Sequence, residues 1–330
     1  MKTNSKIRAF SLIELSIVIL IIGILIAGVT QGSRILSQAK LNNARTLTKS
    51  SPVSSIKNLA LWVEATSEES FTNAAAEDGR EILTWYDLNP QTSAKNNFTG
   101  TAGSTPLYKT NIINGLPAVY FSRPDEFMTS STFQNIVTNT STVFMVVKTY
   151  IYDLPTAPIA IISKRASTAT LSSPNIQVSF NGGAVGHAWQ YCDGKGASVD
   201  DSTCNEVSTN DVVAIDTPYV VSIVYVAGTA NGGSTTTSTG IHFFQNGVAA
   251  GTSATDEVTN GNPNTTGTGE LFLGRQGATG GTAAFFTGYI GELIIYDRNL
   301  KKEERQAVEA YLGKKWGVAM TTVAMPAEAY

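Results

Sequence analysis

The chain has 330 residues, a formal net charge of −3 and only 15% charged residues, with Ser, Thr, Asn and Gly plentiful. That length accommodates one large domain or two ordinary ones, and a weakly acidic chain is not a general nucleic-acid binder. Its two histidines, His187 and His242, argue against a His-rich metal centre and leave any Ser-His-Asp arrangement only those two residues for its base.

Residues 1–9, MKTNSKIRA, carry Lys2, Lys6 and Arg8 and no acid. Residues 10–29, FSLIELSIVILIIGILIAGV, then form a long apolar run. As a helix it spans roughly 30 Å, the thickness of a bilayer core. The basic leader predicts a cytoplasmic N-terminal end, with the rest of the chain across the membrane. Three readings compete. A secretory signal peptide would have an apolar core of about 7–15 residues and a small-residue cleavage site, which Thr30-Gln31-Gly32-Ser33 does not clearly supply. A plain transmembrane anchor explains the length but not Glu14, since a carboxylate at mid-bilayer costs roughly 2.5–3.5 kcal/mol. The third reading gives Glu14 a cationic partner.

The run Ala9-Phe10-Ser11-Leu12-Ile13-Glu14-Leu15 with its apolar continuation resembles the N-terminus of type IV pilins and pseudopilins. The resemblance implies that a prepilin peptidase cuts between Ala9 and Phe10 and that the new amino group of Phe10 is N-methylated. It also implies that Glu14 pairs with the freed amine of a neighbouring pilin-like subunit during assembly. Ala9 stands where the family usually has Gly, and no Pro bends the helix before Pro52. Beyond the membrane, Ile35, Leu36, Ala39 and Leu47 continue a loose apolar stripe. Ser50-Ser51-Pro52 is expected to end the helix, because Pro cannot continue a helix interior. The alternative for this segment is a flexible stalk.

From about Leu59 the pattern becomes short β-rich runs between Gly, Asn, Ser, Thr and Pro. Strands are predicted over 118–121, 142–148, 159–163, 176–180, 219–226, 241–245, 270–273 and 288–296. Asn246-Gly247 is a hairpin-turn signal. A helix over 300–316 carries Val308, Tyr311 and Leu312 on one side and stops at Gly317. With no strand–helix–strand rhythm, the expected fold class is mainly β: a long N-terminal transmembrane helix, a β-sandwich and a C-terminal helix. The order of Leu61-Trp62-Val63-Glu64, Trp85-Tyr86-Asp87-Leu88, Asn114-Gly115-Leu116-Pro117-Ala118 and Gly291-Glu292-Leu293-Ile294-Ile295-Tyr296 resembles the laminin G-like, concanavalin A-like jelly rolls of bacterial surface proteins. The resemblance implies a jelly roll over residues 57–317, after a leader at 1–9 and an assembly helix at 10–50, and before a tail at 318–330.

Jelly rolls of this kind include glucanases and lectins. A retaining glycosidase needs two carboxylates about 5–5.5 Å apart, and acids at i, i+2 or i+4 of one strand would share a face. No such run is present: Glu68-Glu69 are adjacent, and Glu77-Asp78-Gly79 has a turn-like context. No catalytic residue is assigned and the chain is expected not to be an enzyme; an anchored glycosidase is the weakest of the readings. Cys192 and Cys204 flank an acidic loop and, in an oxidising exterior compartment, read as a disulfide, the alternative being two free thiols. Asp193, Asp200, Asp201 and Glu206 around that loop raise Ca²⁺ binding, but their spacing is not that of an EF-hand, and solvated acids are the simpler account. Trp189 and Tyr191 beside the loop are candidates for stacking on a sugar ring, or else they pack beneath it.

The expected function is a minor pilin or pseudopilin of a type IV pilus or type II secretion filament, with the jelly roll as an adhesion module for a surface glycan or protein. The alternative is a membrane-tethered lectin that never polymerises. No cofactor is implied. Prepilin peptidase, other pilin-like subunits and the inner membrane are the expected partners, and the large domain is expected to be periplasmic or extracellular.

Overall fold

The computed structural model describes residues 12–72, 74–122, 125–131, 133, 140–150, 159–165, 176–181, 188–194, 204–209, 213–226, 240–250, 252–254, 270–275 and 285–321. It is mainly β: a long apolar helix, two antiparallel sheets and a C-terminal helix.

Helix α1 (Leu12–Lys49) runs 38 residues without a break. Its only buried residues, Ala44 and Thr48, lie in the last two turns, where the helix meets the sheets. The membrane-length part has a mean hydropathy of 2.9 and buries none of its surface within the chain. Among the described residues it is the one helix long and apolar enough to cross a bilayer. Its hydroxyls do not face lipid unsatisfied: Ser16, Thr30, Ser33 and Ser37 donate back to carbonyls three or four residues earlier. Pro52 follows, and a single 3₁₀ turn, Val53–Ser55, leads into the first strand. The helix therefore ends where the proline predicts.

Seventeen strands, numbered in chain order, are described. One sheet runs β14 (Val248–Ala249), β13 (Gly240–Gln245), β12 (Pro218–Val226), β7 (Thr140–Thr149), β17 (Gly288–Tyr296), β5 (Leu116–Phe121) and β4 (Leu107–Ile113). Strand β1 (Leu59–Glu64) joins it by pairing with the second half of β17, whose first half pairs with β5. The other sheet runs β15 (Thr252–Ala254), β11 (Cys204–Thr209), β10 (Ala188–Gly194), β9 (Ile176–Asn181), β8 (Ile159–Arg165), β16 (Glu270–Leu273), β6 (Met128–Ser130), β3 (Phe98–Thr99) and β2 (Thr84–Trp85). The eight predicted strands are all present, several of them a few residues longer than predicted. Asn246 and Gly247 have φ of 52° and 82°, the doubly positive geometry of a type I′ turn, and link β13 to β14.

One hydrophobic core joins the two sheets, with Trp85, Phe98, Met128, Ile161, Trp189 and Leu273 of the second meeting Leu61, Val63, Val119, Met145, Val221 and Leu293 of the first. The outer face of the first sheet is covered by α2 (Lys302–Trp316), which buries Val308, Tyr311, Leu312, Lys315 and Trp316. Gly317, at φ 64°, ends it in the left-handed conformation. The approach is close at Gly291, where a Cβ would stand 2.7 Å from the Trp316 ring and where β17 bulges against β7. Strand β1 has a second edge that no strand among the described residues covers along Leu59–Trp62. Side chains of the segment after β2 take its place. Asn89 Nδ2 donates to Leu59 O (2.7 Å), Asn96 Nδ2 donates to Ala60 O (3.0 Å), Gln91 Oε1 accepts from Leu59 N–H (3.2 Å) and Asp87 Oδ1 accepts from Trp62 N–H (3.0 Å). The Asp87 carboxylate also accepts from the Asn89 and Asn96 backbone amides. The segment from Asp87 to Asn96 thus caps an edge that would otherwise invite pairing with another chain.

Candidate functional site

The first feature with a functional reading is the head of α1. Glu14 lies in its first turn, on a helix exposed throughout this part. Ala9 and Phe10 lie outside the described residues. From the first turn of α1, Leu12, Leu15, Ile19 and Ile22 present bare apolar surface that no other part of the chain covers among the described residues. Such a surface is stable only in lipid or against other helices.

The second feature sits where α1, β1, β17 and α2 converge. Register pairing sets Glu64, the last residue of β1, directly opposite Glu292 of β17. Lys315 of α2 reaches down between them, its Nζ 3.0 Å from Glu64 Oε2 and 2.8 Å from Glu292 Oε2. All three side chains are fully excluded from solvent. Glu292 Oε1 accepts from Trp62 Nε1 (2.8 Å) and the Tyr311 hydroxyl (2.9 Å), and Oε2 accepts from Trp316 Nε1 (2.8 Å) as well as Lys315. Glu64 Oε2 accepts from Thr66 N–H (2.5 Å) and Thr66 Oγ1 (2.7 Å), while Oε1 has a longer contact, 3.4 Å, from Thr48 of α1. Burial, and next the negative charge of Glu292, push the Tyr311 hydroxyl well above its ordinary range, so it stays a donor. Arg45 of α1 adds a hydrogen bond to Thr66 O (2.9 Å) and an ion pair to Glu68. The end of the stalk helix is therefore tied by polar contacts to both termini of the sandwich. A search for two acids on one strand misses this carboxylate pair, because it forms across two strands.

A third feature is aromatic and open to solvent. Tyr289 of β17 is the register partner of Tyr120 on β5 and of Lys148 on β7, which places all three on one face. Tyr120 and Tyr289 stack with centroids 4.7 Å apart, and Tyr150, 51% exposed, stands edge-on to Tyr289. Lys148 bonds to Asp216 at 2.8 Å and lies 5.9 Å from the Tyr289 ring centre. Partial burial raises the Tyr120 and Tyr289 hydroxyls, keeping them neutral donors and acceptors.

The remaining candidates are placed as follows. Trp189 is fully buried; its indole N–H donates to Gln245 Oε1 (2.6 Å) and its ring stands edge-on to Tyr219. An enclosed ring of this kind presents no face to a sugar. Tyr191 sits in β10 opposite Val178 and Val207, and its side chain lies outside the described ones. Cys192 is opposite Glu206 and Cys204 opposite Gly194, so the two cysteines occupy neighbouring strands two register positions apart. Asp200, Asp201 and His187 lie outside the described residues. His242 is exposed on β13. No group of three or more metal-ligating side chains occurs among the described residues. The acids considered for catalysis have surface partners. Glu77 bonds Arg80 at 3.2 Å, and Asp78 accepts from the Thr110 amide and hydroxyl, the amide bond chiefly holding its carboxyl below the usual range.

Residues 4–30 match the prokaryotic N-terminal methylation motif. A motif of this kind implies processing by prepilin peptidase and pilin-like assembly. No curated protein matches the chain. Solved structures that align with it include a Trypanosoma rangeli sialidase in complex with sialic acid, at 11% identity over 78% of this chain and 33% of that one, with a TM-score of 0.42. A mutant of the same species' sialidase displaying trans-sialidase activity aligns at 10% identity over 89% of this chain and 40% of that one, TM-score 0.44. The CBM40 module of a Ruminococcus gnavus IT-sialidase, bound to α2,3-sialyllactose, aligns at 16% identity over 58% of this chain and 91% of that one, TM-score 0.39. The chain spans less than half the length of the trypanosomal enzymes. The expectation that it is not an enzyme is corrected by this finding, since the structures aligned with it include sialidases. Identities and TM-scores this low assign none of their activities to the chain.

Proposed function

We propose that the chain is a minor pilin or pseudopilin of a type IV pilus or type II secretion filament. It is anchored by α1 in the inner membrane before assembly and carries an adhesive jelly roll outside the cytoplasm. The observation that carries this reading is the continuity of the methylation motif at residues 4–30 with a helix of membrane length whose apolar surface is left bare by the described residues. Glu14 then meets the freed amino group of Phe10 in a neighbouring subunit, an opposite charge that offsets the cost of a carboxylate in lipid. Mass spectrometry of the protein from cells with active prepilin peptidase is expected to find Phe10 first and methylated. An intact Met1 terminus in those cells would refute the reading.

The adhesive surface is assigned to the Tyr120, Tyr150 and Tyr289 patch with its Lys148–Asp216 pair. Tyrosine offers a flat apolar ring and a polar tip, and the neighbouring charges add hydrogen bonds, a combination suited to a polar ring such as a sugar. An anchor of this type contributes at least about 2 kcal/mol when it is a hot spot, and about 1.4 kcal/mol is already tenfold in affinity. Tyr289→Ala is therefore expected to weaken binding to glycans recognised on an array by more than tenfold without lowering the unfolding temperature greatly. Undiminished binding would move the adhesive surface elsewhere.

A further inference from the structure

The cluster of Glu64, Glu292 and Lys315 is more than a buried ion pair. Two carboxylates and one ammonium would leave a net negative charge in a site with no access to water, and removing each charge from water costs several kcal/mol even after relaxation. Condensation of the amine with one carboxyl removes two of those charges at once. The two carboxylates are not equivalent. Glu292 receives four hydrogen bonds, from Trp62, Tyr311, Trp316 and Lys315, so both of its oxygens are engaged. Glu64 has both Thr66 donors on Oε2 and the 3.4 Å contact from Thr48 on Oε1, so Oε1 is the less engaged oxygen and the one suited to leave.

We propose that Lys315 and Glu64 condense into an intramolecular amide. The Lys315 nitrogen attacks Cδ of protonated Glu64. Negative charge gathers on Oε2, where the Thr66 amide and hydroxyl already donate, the arrangement that stabilises a tetrahedral intermediate. Glu292, in contact with the nitrogen, accepts the proton it sheds and returns it to Oε1, which leaves as water. One C–N bond forms and one C–O bond breaks. One water is released, and nothing is oxidised or reduced. The fold supplies the reaction's main requirement, because packing from β1, β17 and α2 holds amine and carboxyl in contact and makes the step unimolecular. Afterwards the site holds a single anion, Glu292.

The bond would join the first strand after the stalk to the last helix of the sandwich. On the filament reading, tension enters through α1 and would otherwise peel β1 from β17; the amide passes it to α2. The chemistry itself does not depend on that reading.

The test is the mass of the full chain, purified in detergent, reduced and denatured. The expected mass is that of the processed sequence less one water in essentially every molecule, with a branched tryptic peptide joining residue 64 to residue 315. Lys315→Arg is expected to restore the full mass and abolish the branched peptide, and Glu292→Gln to leave the chain largely unlinked. Wild-type chain at its full mass, or a water lost at any other pair of residues, would overturn the proposal. The wild-type measurement decides it even if a variant fails to fold.

Discussion

Glu292→Leu is expected to destabilise the β domain by about 3–5 kcal/mol, the cost of removing one partner from a buried charge cluster. The reason lies in what Glu292 leaves behind. Three donors of fully enclosed or nearly enclosed residues, Trp62 Nε1, Trp316 Nε1 and the Tyr311 hydroxyl, point at its two oxygens together with Lys315. None of these donors has access to water to replace the lost acceptor, and each unsatisfied buried group costs about 1–3 kcal/mol. Leucine also lacks the length to fill the space between β17 and α2, so the contact of Trp316 with Gly291 loosens. Thermal unfolding followed by tryptophan fluorescence reads the loss directly, since Trp62 and Trp316 report from the site. Arg80→Ala provides the contrast. Its pair with Glu77 is 66% and 62% exposed, and its removal is expected to change stability by less than about 1 kcal/mol. Equal effects from the two substitutions would mean that the buried cluster is dispensable.

Much of the architecture is written in local patterns. Thr140–Thr149, Pro218–Val226 and Gly288–Tyr296 are long apolar runs, and each is a central strand of the first sheet buried on both faces between core and α2. Two kinds stand out among the strands that sequence reading passes over. Thr84–Trp85, Phe98–Thr99 and Met128–Ser130 are too short to show a period, and they are strands only because a neighbour pairs with them. Ala188–Gly194 and Cys204–Thr209 carry Gln, Asp, Asn and Glu, so hydrophobic patterning does not reveal them.

The polar cluster was illegible for a different reason. Glu64 and Glu292 are distant in sequence and become neighbours only through the register of β1 against β17. A signal was available all the same. Each glutamate ends or interrupts a run of apolar residues, as in Leu61-Trp62-Val63-Glu64 and Gly291-Glu292-Leu293-Ile294, and Lys315 falls four residues after Tyr311 on the buried stripe of α2. Charges placed where the periodicity demands apolar residues indicate a buried pair. The tyrosine patch had no such signal, because Tyr120 and Tyr289 sit in unremarkable strand contexts, Tyr150 stands just past the end of β7, and they meet only through the pairing of β17 with β5 and β7.

Glu14→Ala is expected to leave the protein folded and in the membrane and to reduce its recovery in sheared surface filaments to background. The sign of each effect follows from the position of the residue. Removing a carboxylate from an apolar helix relieves a cost of up to roughly 2.5–3.5 kcal/mol, so insertion of α1 is retained or improved. Folding of the sandwich is untouched, because α1 contacts it only through its far end, around Ala44 and Thr48. On the proposed function assembly alone loses, since the carboxylate would offset the positive amino terminus that cleavage would create on the next subunit, and in lipid an unpaired cation is as costly as an unpaired anion. Glu14→Gln separates charge from hydrogen bonding. It keeps an acceptor of the same size but no charge, and it is expected to assemble poorly as well. If Glu14→Gln assembles fully while Glu14→Ala does not, a hydrogen bond suffices and the charge-pairing account fails. If both variants assemble like the wild type, the chain is a tethered surface protein whose helix serves only as an anchor.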